Sequence, residues 1–283
     1  YIFPVMMELE NSAGRPFFYY AMIGIQFMLL GFFAMMALGL ILLFRLLCNL
    51  KYTNQSKLLE IEYKLCELLD AEPVIAGNVG SGTVKELSDW VEYVNSDIKS
   101  DMTLLRKKHG KGEPWYVKFW GVGNESWGCG GNLNPTQYYE KMCRYSTYMR
   151  SYPDKPLYKV AVGPSGFNLG WTEEFFQNVS KYGGYNLFDG YSLHYYTVQG
   201  NWRDKGSATE FGEYEYFTTL RKALRIDEFI QKNMEIINKN LPEDRRESAK
   251  PDLIIDEWGN WHDVEPGTKP GFLYQQNTLR DAM

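Results

Sequence analysis

The sequence predicts an α/β fold on a parallel sheet covered on both faces. Short apolar runs alternate with amphipathic helical stretches, the two are separated by glycine- and loop-rich segments, and polar and aromatic residues stand directly after the apolar runs. Doubly wound sheets and (β/α)8 barrels both satisfy this pattern, and both collect their active sites at the carboxyl ends of the strands.

The first strand is expected at Val74-Ile75-Ala76, after Glu72-Pro73 and before the turn Gly77 to Gly82. Thr83 and Glu86 then have capping-box spacing, and Leu87, Trp90, Val91 and Val94 recur at helical intervals to make one buried face. A second strand is expected over Val117 to Gly123. Its helix takes Asn134 as N-cap and Pro135 as first residue and runs through Tyr138, Met142, Tyr145 and Met149. Leu157 to Val162 is the next strand, with Trp171 to Val179 as its helix. Gly190 to Leu193 follows, then a long loop and a helical stretch around Leu220 to Ile237, and Leu253-Ile254-Ile255 is the last strand. The polar residues after these strands are Asn124-Glu125, Ser165, His194 to Tyr196 and Asp256-Glu257. Neither Gly77 to Gly82 nor Gly121 to Gly131 matches a dinucleotide fingerprint or a P-loop.

The 283 residues, 45% hydrophobic and 16% aromatic, suffice for a large core and exclude a disordered or collagen-like chain. Thirty Lys and Arg against 35 Asp and Glu leave a net charge of −5 without a basic cluster, which excludes a nucleic-acid partner. Cys48, Cys66, Cys129 and Cys143 form no C-x-x-C unit, so a reducing compartment is expected, with no structural metal. Residues 17–44 are a different kind of sequence, carrying no charge and a single amide, Gln26. The run is long enough to cross a bilayer, with a buried core helix as the alternative. Arg45, Lys51 and Lys57 follow it, so an anchor would leave the C-terminal bulk in the cytoplasm. The expected division is residues 1–56 as the hydrophobic segment and 57–283 as the α/β domain.

Glu125, in Gly-Val-Gly-Asn-Glu-Ser-Trp, and Glu257, in Ile-Ile-Asp-Glu-Trp-Gly, stand at the ends of separate strands among apolar and aromatic neighbours. Glycoside hydrolysis uses such a pair, one carboxyl protonated to assist the leaving oxygen and one ionised toward the anomeric carbon. Trp120, Trp127, Tyr195, Tyr196, Trp258 and Trp261 add flat surfaces suited to sugar rings. From spacing alone, either Glu reads rather as a solvated charge at a strand end. His194 alone reads as a core histidine, His109 and His262 have no role, and Cys129 reads as a packed thiol.

The segments KFWGVGNESWGCGGNLNP, YSLHYYT and LIIDEWGNWHDVEPGTKPGFLYQQNTLRDA resemble glycoside hydrolase family 51, as do AEPVIAGNVGSGT and GSATEF, over about Leu65 to Met283. These are the retaining α-L-arabinofuranosidases, whose catalytic domain is a (β/α)8 barrel, so the resemblance selects the barrel over the doubly wound sheet. It implies Glu125 as general acid/base after the fourth barrel strand, Asn124 on the sugar 2-hydroxyl and Glu257 as nucleophile after the seventh. It also implies His194 and Tyr196 lining the sugar site, with Tyr196 on the nucleophile, and Trp261 as an aromatic wall. The implied reaction is exo-hydrolysis of terminal α-L-arabinofuranosyl residues from arabino-oligosaccharides, arabinan or arabinoxylan fragments, without cofactor or metal, in a family that assembles as hexamers.

The match leaves room for only about strands three to seven, and residues 17–44 resemble nothing in the family. The expectation is therefore a partial barrel, truncated or frameshifted, its N-terminal run being either an anchor or out-of-frame translation. The alternative function is an inactive or membrane-associated remnant. Asn124-Glu125-Ser126 fits a glycosylation pattern, and a glycan there would block the site, which argues for the cytoplasm over a eukaryotic secretory route.

Overall fold

Among the described residues, five parallel strands pair in the order in which the chain makes them. They are β1 (Val74–Ala76), β2 (Phe119–Val122), β3 (Tyr158–Ala161), β4 (Gly190–Thr197) and β5 (Asp252–Asn260), and each is hydrogen-bonded to its predecessor. A doubly wound sheet reverses its strand order at a switch point, whereas a barrel adds strands always on the same side. The unbroken order is that of a partial (β/α)8 barrel. The computed structural model describes residues 60–152, 154–243, 250–265 and 279–283. Residues 17–44 and the 56/57 boundary lie outside them, as does Gln275 to Thr278; among the described residues no helix is long and apolar enough to cross a membrane.

Eight helices are described: α1 (60–68), α2 (Val84–Asn95), α3 (Asp101–Lys108), α4 (Pro135–Tyr148), α5 (Leu169–Tyr182), α6 (Glu213–Ala223), α7 (Ile226–Asn240) and α8 (Leu279–Ala282). The caps fall where the sequence puts them. Thr83 and Glu86 form a reciprocal capping box, and Asn134 accepts from the Gln137 N–H with Pro135 behind it. Leu87, Val91 and Val94 are buried as expected, while Trp90 is only half-buried, set edge-on to the fully buried Trp120.

Aromatic rings from α4 and α5 fill the space over the middle of the sheet. Phe175 lies within ring contact of Tyr138, Tyr139, Phe176, Phe188 and Tyr191 and has no exposed surface. Truncating such a ring to Ala costs about 3–5 kcal/mol. The Tyr138 hydroxyl donates to the Val122 carbonyl at 2.8 Å and accepts from the Val162 N–H at 2.6 Å. One buried hydroxyl thus joins the carboxyl ends of β2 and β3, where Asn124 and Glu125 begin.

Three expectations need correction. β4 and β5 run on to Thr197 and Asn260, so His194, Tyr196, Asp256 and Glu257 lie within strands and not after them. Their polar ends carry no apolar run to announce a strand, and the ladder shifts register between Leu193 and His194, which breaks the simple alternation. The stretch around Leu220 to Ile237 is two helices, α6 and α7, parted at Leu224-Arg225. Helix α3 was hidden in a charged run. Arg106, on α3, is buried and donates to the Tyr93 and Ser96 carbonyls, a tertiary role that a charge pattern does not reveal.

Candidate active site

The carboxyl ends of β2, β4 and β5 meet at two carboxylates and one imidazole. Glu125 leaves β2 in a left-handed backbone conformation, φ 44°, just after Gly123 at φ 103°. A side chain in this region costs energy and persists only where its surroundings hold it. Here the Glu125 carbonyl accepts from the N–H groups of Gly128 (2.8 Å) and Gly130 (3.1 Å), so the loop closes on itself. Gly130 has no substitute, because a Cβ there would run into the Asn124 carbonyl.

His194 is 1% exposed and sits between the acids. Its Nδ1 lies 3.1 Å from Glu125 Oε1 and 3.3 Å from Glu257 Oε2, and its Nε2 lies 3.2 Å from Asp256 Oδ1. Glu257 is engaged further: Asn124 Nδ2 donates to Oε1 at 3.1 Å and the Tyr196 hydroxyl to Oε2 at 3.1 Å. The Tyr196 ring meets Trp261 edge-on with centroids 5.3 Å apart, and Trp261 meets Trp202 at 5.6 Å. Asn124, Glu125, His194, Tyr196, Glu257 and Trp261 therefore stand together.

The model of the Alpha-L-arabinofuranosidase 1 domain matches residues 51–204. A Bacteroides ovatus protein named intracellular exo-alpha-L-arabinofuranosidase is 48% identical over 218 residues, 77% of this chain and 40% of that protein. The crystal structure of the GH51 arabinofuranosidase from Xanthomonas axonopodis pv. citri superposes with a TM-score of 0.70 at 40% identity, over 78% of this chain and 43% of that one. This chain belongs to glycoside hydrolase family 51. An α-L-arabinofuranosidase from Thermotoga maritima, solved as an arabinose complex, matches at 26% identity and a TM-score of 0.56, over 72% of this chain and 37% of that one. The family-51 chain thus spans about two fifths of the length of these relatives.

The electrostatics of the family-51 site centre on His194. Burial alone would lower its pKa, but hydrogen bonds to Asp256 and Glu125 and the charges of Asp256 and Glu257 raise it to about 9. It is a cation at neutral pH. Its hydrogen bond holds the Glu125 carboxyl below the usual carboxylate range, against the opposing pull of burial, and the Cys129 thiol adds to the lowering. Burial, then the charge of Glu257, pushes the Tyr196 hydroxyl up to about 12, so it stays a donor. Glu125, His194 and Glu257 each offer one ligand atom, all within 4.8 Å of one another, a spacing that could hold a metal ion. His194 Nδ1 already lies 3.1 Å from Glu125 and 3.3 Å from Glu257, so a cation bound by all three would have to displace the proton of a charged imidazole.

Not every aromatic residue of the sequence reading reaches this cleft. Side chains alternate across a strand, so Tyr195 and Trp258 point to the face opposite Tyr196 and Glu257. Tyr195 packs on Phe229 and donates to the Lys222 carbonyl, and Trp258 is 65% exposed. Trp120 is core, and the Trp127 indole donates to the Gly163 carbonyl. Cys129 is not a packed thiol: it is exposed, and its Sγ donates to Glu125 Oε2 at 3.3 Å. The glycine loop folds i to i+4 back onto itself, which a spacing argument based on helices and strands does not capture. His262 is buried, bonded to Asp281 at 2.9 Å, and His109 pairs with the Tyr93 hydroxyl at 3.0 Å. The sequence reading missed the contact of Asp256, although its place beside Glu257 was a usable signal: at the β4–β5 register shift it reaches the far nitrogen of His194.

Proposed function

We propose that this chain carries the catalytic strands, the third to the seventh, of a retaining, exo-acting α-L-arabinofuranosidase. Its substrates would be terminal α-L-arabinofuranosyl residues of arabino-oligosaccharides, arabinan or arabinoxylan fragments. The carrying observation is that one oxygen each of Glu125 and Glu257 lies within 4.8 Å of the other, both beside His194 Nδ1. Carboxylates about 5–5.5 Å apart leave no room for an intervening water and favour double displacement over inversion. The cytoplasm is the proposed location, supported by the sparse cysteines, of which Cys66, Cys129 and Cys143 are free among the described residues, and by the name of the Bacteroides ovatus relative.

In this reading Glu257 attacks the anomeric carbon as the glycosidic C–O bond breaks, and Glu125 gives its proton to the departing oxygen. Glu125 is held as a carboxylate in the resting site, so its proton must arrive before the first step. His194 Nδ1, 3.1 Å away, carries one. Transfer along that bond runs against the pKa order of the resting site and has to be driven by bound substrate; it leaves a neutral imidazole and a protonated Glu125, and it removes the cation that competes for the nucleophile. In the second step Glu125 takes a proton from water as that water attacks the glycosyl ester. Asn124 is set to bond the sugar 2-hydroxyl, Tyr196 orients Glu257, and Trp261 walls the ring.

The test is hydrolysis of an aryl α-L-arabinofuranoside by the purified 283-residue chain, with detergent present, beside Glu257→Ala and Glu125→Ala. Glu257→Ala is expected to lose about 10⁴-fold or more in kcat/KM. Glu125→Ala should lose about 10²–10⁴-fold and regain turnover with azide, giving the α-arabinofuranosyl azide of a retaining enzyme. A folded wild-type chain that releases no aglycone would favour the inactive-remnant reading.

A further inference from the structure

The loop between β4 and α6, residues 198–212, is held from both sides by charged groups outside the chemistry. Its carbonyls face a lysine: Lys222 Nζ donates to Val198 (3.1 Å), Gln199 (2.7 Å) and Gly200 (2.6 Å). Its N–H groups face two carboxylates from the segment after β5. Asp263 Oδ2 accepts from the backbone of Lys205 (2.8 Å) and Gly206 (3.1 Å), and the Asp263 N–H donates back to the Gly206 carbonyl at 3.0 Å. Glu265 Oε1 accepts from Ser207 Oγ (2.6 Å), the N–H groups of Ala208 (3.1 Å) and Thr209 (3.3 Å), and Thr209 Oγ1 (3.1 Å).

Backbone donors gathered on a carboxylate order a loop that has few apolar contacts of its own. The ordered loop carries Trp202, 55% exposed, whose ring abuts Trp261, and Trp261 abuts Tyr196 on the nucleophile. The clamp therefore fixes the outer edge of the cleft without touching its centre. We propose that Asp263 and Glu265, opposed by Lys222, are positioning residues that clamp residues 198–209 so that Trp202 stands as a fixed outer wall for the part of the substrate beyond the terminal sugar. The substrate half of this statement rests on the reading under Proposed function.

Arg203 and Lys205 make the loop a substrate for trypsin, which gives a readout independent of hydrolysis. In Asp263→Ala and Glu265→Ala, native-state cleavage after Arg203 and Lys205 should quicken on the order of tenfold, with cleavage after Lys232 in α7 unchanged. Glu265→Gln keeps an acceptor oxygen and should fall between wild type and Glu265→Ala, which separates a clamp from general unfolding. With an arabino-oligosaccharide, KM should rise on the order of tenfold while kcat stays within about twofold, and an aryl arabinofuranoside should respond less. Unchanged cleavage in all three variants would overturn the clamp. Faster cleavage with unchanged oligosaccharide KM would overturn its role toward substrate. If the wild-type chain hydrolyses nothing, the function reading fails on its own, and the digestion still upholds or overturns the clamp.

Discussion

Glu125 leaves β2 through a left-handed backbone position and a run of glycines, whereas Glu257 sits inside the β4–β5 ladder, directly paired with His194. The strand-borne carboxylate inherits its position from backbone bonds that stabilise the sheet anyway. The loop-borne one depends on a few contacts made by Gly128, Gly130, Cys129 and His194. In the proposed reaction the group that gains and loses a proton in each turnover sits on the adjustable support, and the one that holds its distance sits on the rigid one. The comparison predicts that small changes near Glu125 cost activity out of proportion to stability.

Gly130→Ala should break the comparison most severely. The new methyl displaces the Asn124 carbonyl, and a shift of that size at a reacting group lowers kcat/KM about 10²-fold, measured beside a thermal melt. Tyr196→Phe acts on the rigid side. It removes one charge-assisted bond to Glu257 and should cost about tenfold in kcat/KM with little change in melting temperature, since two other groups still fix the carboxylate.

The pH dependence tests both sides at once. The folded pKa of His194, about 9, is raised above its ordinary 6.5, so its stabilising contribution is complete below about pH 6.5 and is lost as pH rises through about 9. Glu125 runs the other way: its lowered pKa stabilises the fold above its ordinary 4.5, and that contribution disappears as pH falls through the lowered value. Melting temperature against pH should therefore fall on both limbs, and His194→Gln should abolish the alkaline one. Cys129→Ala is the mildest change. Loss of its bond to Glu125 Oε2 should alter kcat/KM about threefold and move the alkaline limb of the pH–rate profile to higher pH, because one source of Glu125 pKa lowering is gone and the general acid keeps its proton longer.

Much of this architecture was legible in the residues. Thr83, Asn134 and Pro135 marked helix starts by chemistry that is local to the chain, and Val74 to Ala76 stood out as an apolar run between turn signals. Glu125 and Glu257 were visible because their neighbours form long, uncommon strings. The strand ends at Thr197 and Asn260 were not visible, since their polar residues are ordered by pairing with each other and not by their own propensity. Trp258 and Tyr195 were miscast because nearness in sequence says nothing of face until the register is known. The contacts of Cys129, Asp256 and Glu265 depend on where loops fold back, which no periodicity encodes.

A sheet in which each strand pairs with the one before it can be laid down in the order of synthesis. Asn124 and Glu257, which end up hydrogen-bonded, are 133 residues apart. At about 5–20 residues per second, the loop bearing Glu125 leaves the ribosome on the order of ten seconds before its partner carboxylate. The earlier of the described strands are then made with half of the charge arrangement missing, and β5 completes it. Biogenesis is in this way built into the topology: a nascent chain cannot bring Glu125 and Glu257 together until β5 has been translated.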